Sequence, residues 1–324
     1  MVDSPFVEGT HLQWAWDATS LGWFKECPRK YQYSMIEGWR TKSEVARLQF
    51  GIYYHKALET YDRYRVVQEH DEALRHVISD LLRWTWRDGA PWRASRSLDA
   101  EDKLSVLCRE NLVRSVVWYC DRFKDDPAKT RVLADGTPMV ELHFLFELGR
   151  HPYDSVKGKT YNKSYSLCGY LDRVVTFNGD PYVMDRKTTT STISSYYYDR
   201  YDPDNQMSLY TVASQIAFHT PVKGVILDAA QVAVGFSRFG RSIIFKTADQ
   251  LEEWLRDLNY WLDQAERYAE HGYWPQNDKA CNNYGGCMFK EICSKSPSVR
   301  SKFLSTAFDR KPWNPLEPRG ADTQ

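Results

Sequence analysis

The chain reads as a mixed α/β protein, on three observations: strand-like runs crowd its middle, apolar residues at helical spacing flank them, and Asn178-Gly179 marks a two-residue hairpin. Helices are expected over 44–65, carrying His55, and over 71–86 and 98–123, with the loop Asp88-Gly89-Ala90-Pro91 between the last two. Strands are expected near 139–148, 165–177, 181–187, 222–234 and 241–246, and a helix near 204–218 interrupts them. Thr247 and Gln250 form a capping-box pattern that opens a helix. Its apolar positions Leu251, Trp254, Leu255, Leu258, Leu262 and Ala265 keep helical spacing until Gly272 stops it. After Cys293 the polar composition predicts an extended, lightly packed tail.

Composition narrows the classes. The 324 residues are 42% hydrophobic and 27% charged, enough for a substantial core. Forty-three basic residues balance forty-three acidic ones, so net charge alone gives no argument for nucleic acid. No apolar run approaches the ~18 residues of a membrane span. The stretch around Trp14 and Trp16 lacks the basic lead and apolar core of a signal peptide, so a cytoplasmic, intracellular location is expected. Seven cysteines, an odd number with three crowded into 281–293, point to metal binding in a reducing compartment over a disulfide framework.

The hairpin carries the chemistry. A turn at Asn178-Gly179 sets Phe177 against Asp180 and, further along the same register, Asp172 against Asp185. Pro181 then falls in a non-hydrogen-bonded pair, where it has no ladder donor to lose, and the two aspartates fall in the same close-approaching class. Facing carboxylates repel unless a cation lies between them, and a divalent metal is the simplest compensation. Lys187, two residues after Asp185, projects from the same face. Hard cations on carboxylates suit phosphodiester hydrolysis, and magnesium keeps waters and phosphates as ligands. A neighbouring ammonium can orient or acidify the attacking water. As bare residue types, Asp-x-Lys in a strand is as often an ordinary salt-bridged hairpin.

Gly169-Tyr170-Leu171-Asp172, Asp185-Arg186-Lys187-Thr188, and then Gln206 and Tyr210 resemble the PD-(D/E)XK nuclease superfamily, specifically its RecB-like branch. The resemblance implies a restriction-endonuclease-like fold, a mixed central sheet flanked by helices. Phe50-Gly51-Ile52-Tyr53-Tyr54-His55 is similar to the branch's Phe-Gly-x-x-x-His segment, which implies His55 as a metal ligand beside Asp172 and Asp185, with Mg2+ or Mn2+ bound. Glu141 resembles another acidic position of the family and is expected behind the ligands rather than on the metal. Gln206 and Tyr210, four residues apart and so on one helix face, resemble the Gln-x-x-x-Tyr motif that positions the DNA strand or the lysine.

Cys281, Cys287 and Cys293 need a fourth thiolate. The iron–sulfur subfamily of the RecB-like nucleases takes one cysteine before the nuclease core and three after it, which implies Cys27. The five-residue gap between Cys281 and Cys287 is longer than the two residues usual there. Four thiolates hold either a [4Fe–4S] cluster or tetrahedral zinc, and the resemblance favours the cluster, as a structural staple joining the two chain ends. Cys108, Cys120 and Cys168 read as small buried hydrophobes.

These expectations divide the chain into N-terminal helices (1–65), a helical insertion (66–130) that could seat a protein partner, a nuclease core (131–272), a cysteine segment (273–296) and a tail (297–324). Most of the 12 Trp, 21 Tyr and 14 Phe are expected in the core, with Tyr196-Tyr197-Tyr198 beside Arg200 as candidates to stack the bases of a single strand. The implied function is a metal-dependent deoxyribonuclease acting as an exonuclease on single-stranded DNA ends. The alternatives are a DNA-end-binding scaffold without chemistry and a zinc-stapled structural protein.

Overall fold

A computed structural model describes residues 3–42, 46–87, 89–92 and 106–317. Its elements in chain order are β1 (Ala15–Trp16), α1 (Ala18–Glu26), α2 (Pro28–Tyr31), β2 (Trp39–Thr41), α3 (Ala46–Arg65), α4 (His70–Trp84), β3 (Trp86–Arg87), β4 (Ala90–Pro91) and α5 (Arg109–Arg122). Then come β5 (Lys129–Thr130), β6 (Val140–Glu147), β7 (Tyr153–Asp154), β8 (Lys159–Thr160), β9 (Ser166–Phe177), β10 (Asp180–Thr189), α6 (Ser195–Asp199) and α7 (Asn205–Phe218). The chain continues through β11 (Val225–Val232), β12 (Ser237–Ile244), α8 (Ala248–His271), α9 (Lys290–Cys293), α10 (Arg300–Ala307) and β13 (Phe308–Arg310). Two compact units result, one from residues 1–42, 144–169 and 248–324, the other from 43–143 and 170–247.

The second unit is a mixed sheet with helices on both faces. β9 pairs antiparallel with β10, β10 parallel with β11, and β11 antiparallel with β12. The hairpin forms at the expected place: Phe177 opposes Asp180, and Asn178 and Gly179 have φ of 52° and 88°, as a type I′ turn requires. β11 is buried along its whole length, consistent with its mostly apolar sequence at an interior position of the sheet between β10 and β12. Phe50, Tyr54, Leu58 and Tyr61 of α3 pack with Val77 and Leu81 of α4, Leu112 and Val116 of α5, and Ala230 and Val232 of β11. α7 is buried from Met207 through Ser214, and the Asp204 carboxylate caps it by accepting from the Gln206 and Met207 amides.

Three details depart from expectation. The third helix begins at Arg109 rather than near 98; Leu107 and Cys108 are outside it, and residues 98–105 lie outside the described residues, as do 44 and 45. Around Gly89 the chain closes a tight pairing of β3 with β4 (Trp86 opposite Pro91) where a plain loop was expected; Asp88 lies outside the described residues. β12 starts at Ser237, four residues early, because Phe239 and Arg241 contribute side chains to the interior that their mixed polarity hid.

In the first unit, β1 pairs in parallel with the start of β9, Ala15 opposite Ser166. Phe24 of α1 sits in a ring of aromatics, with Trp16, Tyr31, Trp261, Tyr268 and Trp274 all at centroid distances of 5.3–6.1 Å. α8 turns Trp254, Leu258, Leu262 and Ala265 inward and ends at Gly272, whose φ is +59°. The tail is more ordered than its composition implies: α10 is followed by β13, which pairs with β2, Phe308 opposite Thr41. Leu304 and Phe308 supply the reason, because they are buried against Tyr33, Phe289 and Ile292. Gly38 permits the close approach, since a Cβ there would lie 2.9 Å from the Lys311 carbonyl oxygen. Residues 318–324 lie outside the described residues.

Candidate active site

The ladder between β9 and β10 is recorded as far as Arg173 opposite Met184, and its register then sets Asp172 opposite Asp185. There the Asp172 carboxylate accepts the Arg186 amide at 3.0 Å, so a side chain takes a donor at the end of the ladder. Both aspartates are buried, at 3% and 1% exposure. Burial, with the Asp172 charge added, pushes the Asp185 carboxyl up to about 6 in spite of Lys187.

Strand alternation sorts the next three residues. Asp185 and Lys187 point toward α7, and Arg186 between them points toward α3 and α5. Lys187 Nζ lies 2.8 Å from Asp185 Oδ2 and donates at 2.7 Å to Gln206 Oε1. Gln206 Nε2 in turn donates to Tyr210 Oη at 2.8 Å, which fixes which end of the amide faces the lysine. Burial alone would lower the lysine, but Asp185, Tyr210 and Asp172 overcome it, so the ammonium is held in its charged form. The helical Gln-x-x-x-Tyr pair therefore positions the lysine.

On the other side of Asp172, His55 Nδ1 approaches Asp172 Oδ2 to 3.3 Å. His55, Glu141 and Asp172 each offer one ligand atom, and these atoms lie within 4.8 Å of one another. The sequence expectation set Glu141 behind the ligands; its carboxylate instead stands among them. Asp185 lies outside this closest grouping and holds Lys187 instead. Glu141 also has a φ of 49°, a conformation that costs a non-glycine residue of order 1 kcal/mol or more and clusters where function demands it. One imidazole nitrogen and carboxylate oxygens form a hard donor set that suits Mg2+ or Mn2+.

The face toward α3 and α5 carries a feature that sequence reading missed. Arg186 Nη2 lies 2.6 Å from Asp62 Oδ2, and Arg173 lies 3.5 Å from Asp62 and 3.7 Å from Asp126. Arg241 bonds Asp126 through both terminal nitrogens at 2.8 Å and reaches Asp228 at 3.2 Å, and Tyr119 donates to Asp228. Arg186, Asp228 and Arg241 are neighbours across three adjacent strands. The only signal was a charged residue at inward-facing positions of otherwise apolar strands, which reads equally well as an edge.

The four cysteines of interest belong to the first unit. Cys27 Sγ accepts the Asn277 amide at 3.4 Å, and Cys281 Sγ lies 3.8 Å from the Asn277 carbonyl oxygen. Burial raises the Cys287 thiol, with Cys27 and Cys281 adding to it, and burial raises Cys293, with Cys27 and Cys287 adding to it. The thiols are thus close enough to influence one another. Among the described residues no three sulfurs lie within 4.8 Å. Cys108, Cys120 and Cys168 are buried, as expected.

Of the tyrosines proposed to stack bases, Tyr197 is 4% exposed and the Tyr198 hydroxyl lies against Gly240, so both belong to the packing; Tyr196 alone of the three is open, at 85%.

Comparison with curated proteins gave no match. Two solved structures are similar to the chain. One is named "Putative exonuclease" from Eubacterium rectale, at 11% identity and a TM-score of 0.46, covering 82% of this chain and 85% of that one. The other, SSO0001, has 14% identity and a TM-score of 0.34, over 87% and 86% of the two chains. Both likenesses are too distant to add to a family assignment. The family model of the PD-(D/E)XK nuclease superfamily, however, matches residues 15–294, a span that holds the aspartate pair, the lysine, His55 and all four candidate cluster cysteines. This chain belongs to the PD-(D/E)XK nuclease superfamily.

Proposed function

We propose that this nuclease is a Mg2+- or Mn2+-dependent exonuclease of the RecB-like branch, acting on single-stranded DNA ends during recombination, repair or end processing. The observation that carries the reading is the convergence of His55, Glu141 and Asp172 ligand atoms beside an Asp185–Lys187 pair. His55, Glu141 and Asp172 would hold the cation, with Asp185 completing its surroundings. A bound divalent ion supplies a hydroxide at neutral pH and charge stabilisation on the phosphate. Lys187 contributes a fixed positive charge for the attacking water and the phosphoryl oxygens, and Gln206 with Tyr210 keeps its ammonium aimed. A scaffold without chemistry has no use for a partly buried, aimed lysine and a strained ligand.

We infer from the resemblance to the iron–sulfur nucleases that Cys27, Cys281, Cys287 and Cys293 would hold a [4Fe–4S] cluster, with tetrahedral zinc as the alternative. The cluster's role here is a staple, since hydrolysis moves no electrons. Seven free thiols fit a reducing, intracellular setting, and a protein partner is proposed for the helical insertion, of which 88 and 93–105 lie outside the described residues.

The test is digestion of linear against circular single-stranded DNA, each with a duplex control, in Mg2+ or Mn2+. An exonuclease consumes the linear strand and spares the circle; equal attack on both overturns the end requirement.

A further inference from the structure

We propose that Arg200 is the phosphate clamp of the substrate strand, holding a phosphate within about three nucleotides of the cleaved bond, with Tyr196 offering its ring to a neighbouring base. This rests on the nuclease reading of the Asp185–Lys187 site and adds to it a residue that grips the strand.

The guanidinium of Arg200 lies 4.1 Å over the ring of Tyr197 and 5.3 Å from the ring of Tyr201. The two tyrosines are themselves tied, with rings 5.8 Å apart and hydroxyls 3.5 Å apart. Aromatic stacking fixes a guanidinium without neutralising it and leaves its N–H fork free for a bidentate phosphate contact. Exposed Arg63 and Arg83 of this unit are held by Glu59 and Asp80, whereas no carboxylate among the described residues pairs with Arg200, which lies over two tyrosine rings instead. Nearby acids are already engaged: Asp202 by Lys246 and Asp204 in capping α7. Asp199 remains exposed beside the clamp and tempers its charge.

Position ties this cation to the chemistry. Lys187 Nζ lies 5.8 Å from the same Tyr201 ring, so the two positive groups are no more than about 11 Å apart. At about 3.4 Å of rise per nucleotide, that spans roughly three nucleotides of a stacked strand. Tyr196, 85% exposed and four residues before Arg200, supplies the aromatic face with which single-strand binders pair such a cation.

The experiment measures binding of a labelled oligothymidylate by fluorescence anisotropy without divalent metal, across about 50 to 200 mM salt, in the whole chain carrying Lys187→Ala to prevent cleavage. Adding Arg200→Ala should weaken binding about tenfold and lower the slope of log affinity against log salt by about 0.7, the value of one single-strand phosphate contact. Arg200→Lys should restore the slope while recovering only part of the affinity. Tyr196→Ser should weaken binding about fivefold or more without changing the slope. In the otherwise native chain, Arg200→Ala should raise KM and leave kcat and Tm close to native. Unchanged affinity and slope in Arg200→Ala, alongside loss of cleavage in Lys187→Ala, overturn the clamp and leave the nuclease site standing. Cleavage undiminished by Lys187→Ala alone overturns the site itself, and the clamp with it.

Discussion

Lys187 and Asp185 form an ion pair of 2.8 Å on one face of β10, and Gln206 holds the same ammonium from α7 at 2.7 Å. A strand residue cannot satisfy a partly buried lysine by itself. The amide that Tyr210 orients gives Lys187 a second fixed partner, and Asp172, one of the three residues whose ligand atoms converge, is close enough to help keep its ammonium charged.

Removing that charge should cost rate rather than binding. Lys187→Ala is expected to lower kcat by about 100- to 1000-fold, the cost of losing one preorganised electrostatic contact. Gln206→Ala leaves the charge but frees its position, and should cost up to about 100-fold. Single-turnover kinetics at saturating metal check both. A raised KM with native kcat would contradict the assigned roles.

Asp185 should leave a signature in stability against pH. Its folded pKa, near 6, exceeds the unfolded value of about 3.9, so the folded state binds the proton more tightly. The ionised carboxylate therefore destabilises the fold. The penalty is absent below about pH 4, grows as pH rises, and is complete above about pH 6, at roughly 3 kcal/mol. In the absence of metal, the Tm difference of Asp185→Asn from native should move in the variant's favour between pH 4 and pH 7. A difference that stays flat across that range would contradict the elevated pKa.

The charged network behind the sheet should respond asymmetrically. Arg186→Met removes the closer of the two guanidinium partners of buried Asp62, leaves the carboxylate under-compensated with Arg173 alone at 3.5 Å, and is expected to cost about 3 kcal/mol in urea denaturation. Asp62→Leu on top of it should recover much of that loss, because the uncompensated charge is gone. A double variant no more stable than the single would show that Arg186 acts through packing on Tyr119 instead.

The thiols predict a coloured protein. Anaerobic purification should yield iron and acid-labile sulfide in equal amounts with broad visible absorption, and Cys27→Ser should remove the colour and lower Tm. A colourless chain holding stoichiometric zinc would contradict the cluster.

Much of this site was legible before any coordinates. Asn178-Gly179 fixed the register that opposes Asp172 to Asp185, because a type I′ turn admits only one pairing. That His55 lies beside Asp172, and Gln206 beside Lys187 and Tyr210, was legible through their neighbours in sequence. Glu141 was placed too far from the ligands, since its positive φ is a backbone state that nothing in the residues around it announces. Asp62, Asp126 and Asp228 were invisible because their partners Arg173, Arg186 and Arg241 lie on other elements. The tail was misread for a related reason: Leu304 and Phe308 are isolated apolar residues whose partners lie elsewhere in the chain.

The central claim is that His55, Glu141 and Asp172 hold a divalent cation that hydrolyses DNA. The most direct measurement is cleavage of end-labelled DNA as Mn2+ is titrated into metal-free protein, native against Asp172→Ala, with metal binding followed in parallel by calorimetry. The account predicts that cleavage rises with occupancy of the native site, and that Asp172→Ala loses both tight binding and cleavage while remaining folded. Cleavage by Asp172→Ala at the native rate, or cleavage by the native chain in excess chelator, would contradict it.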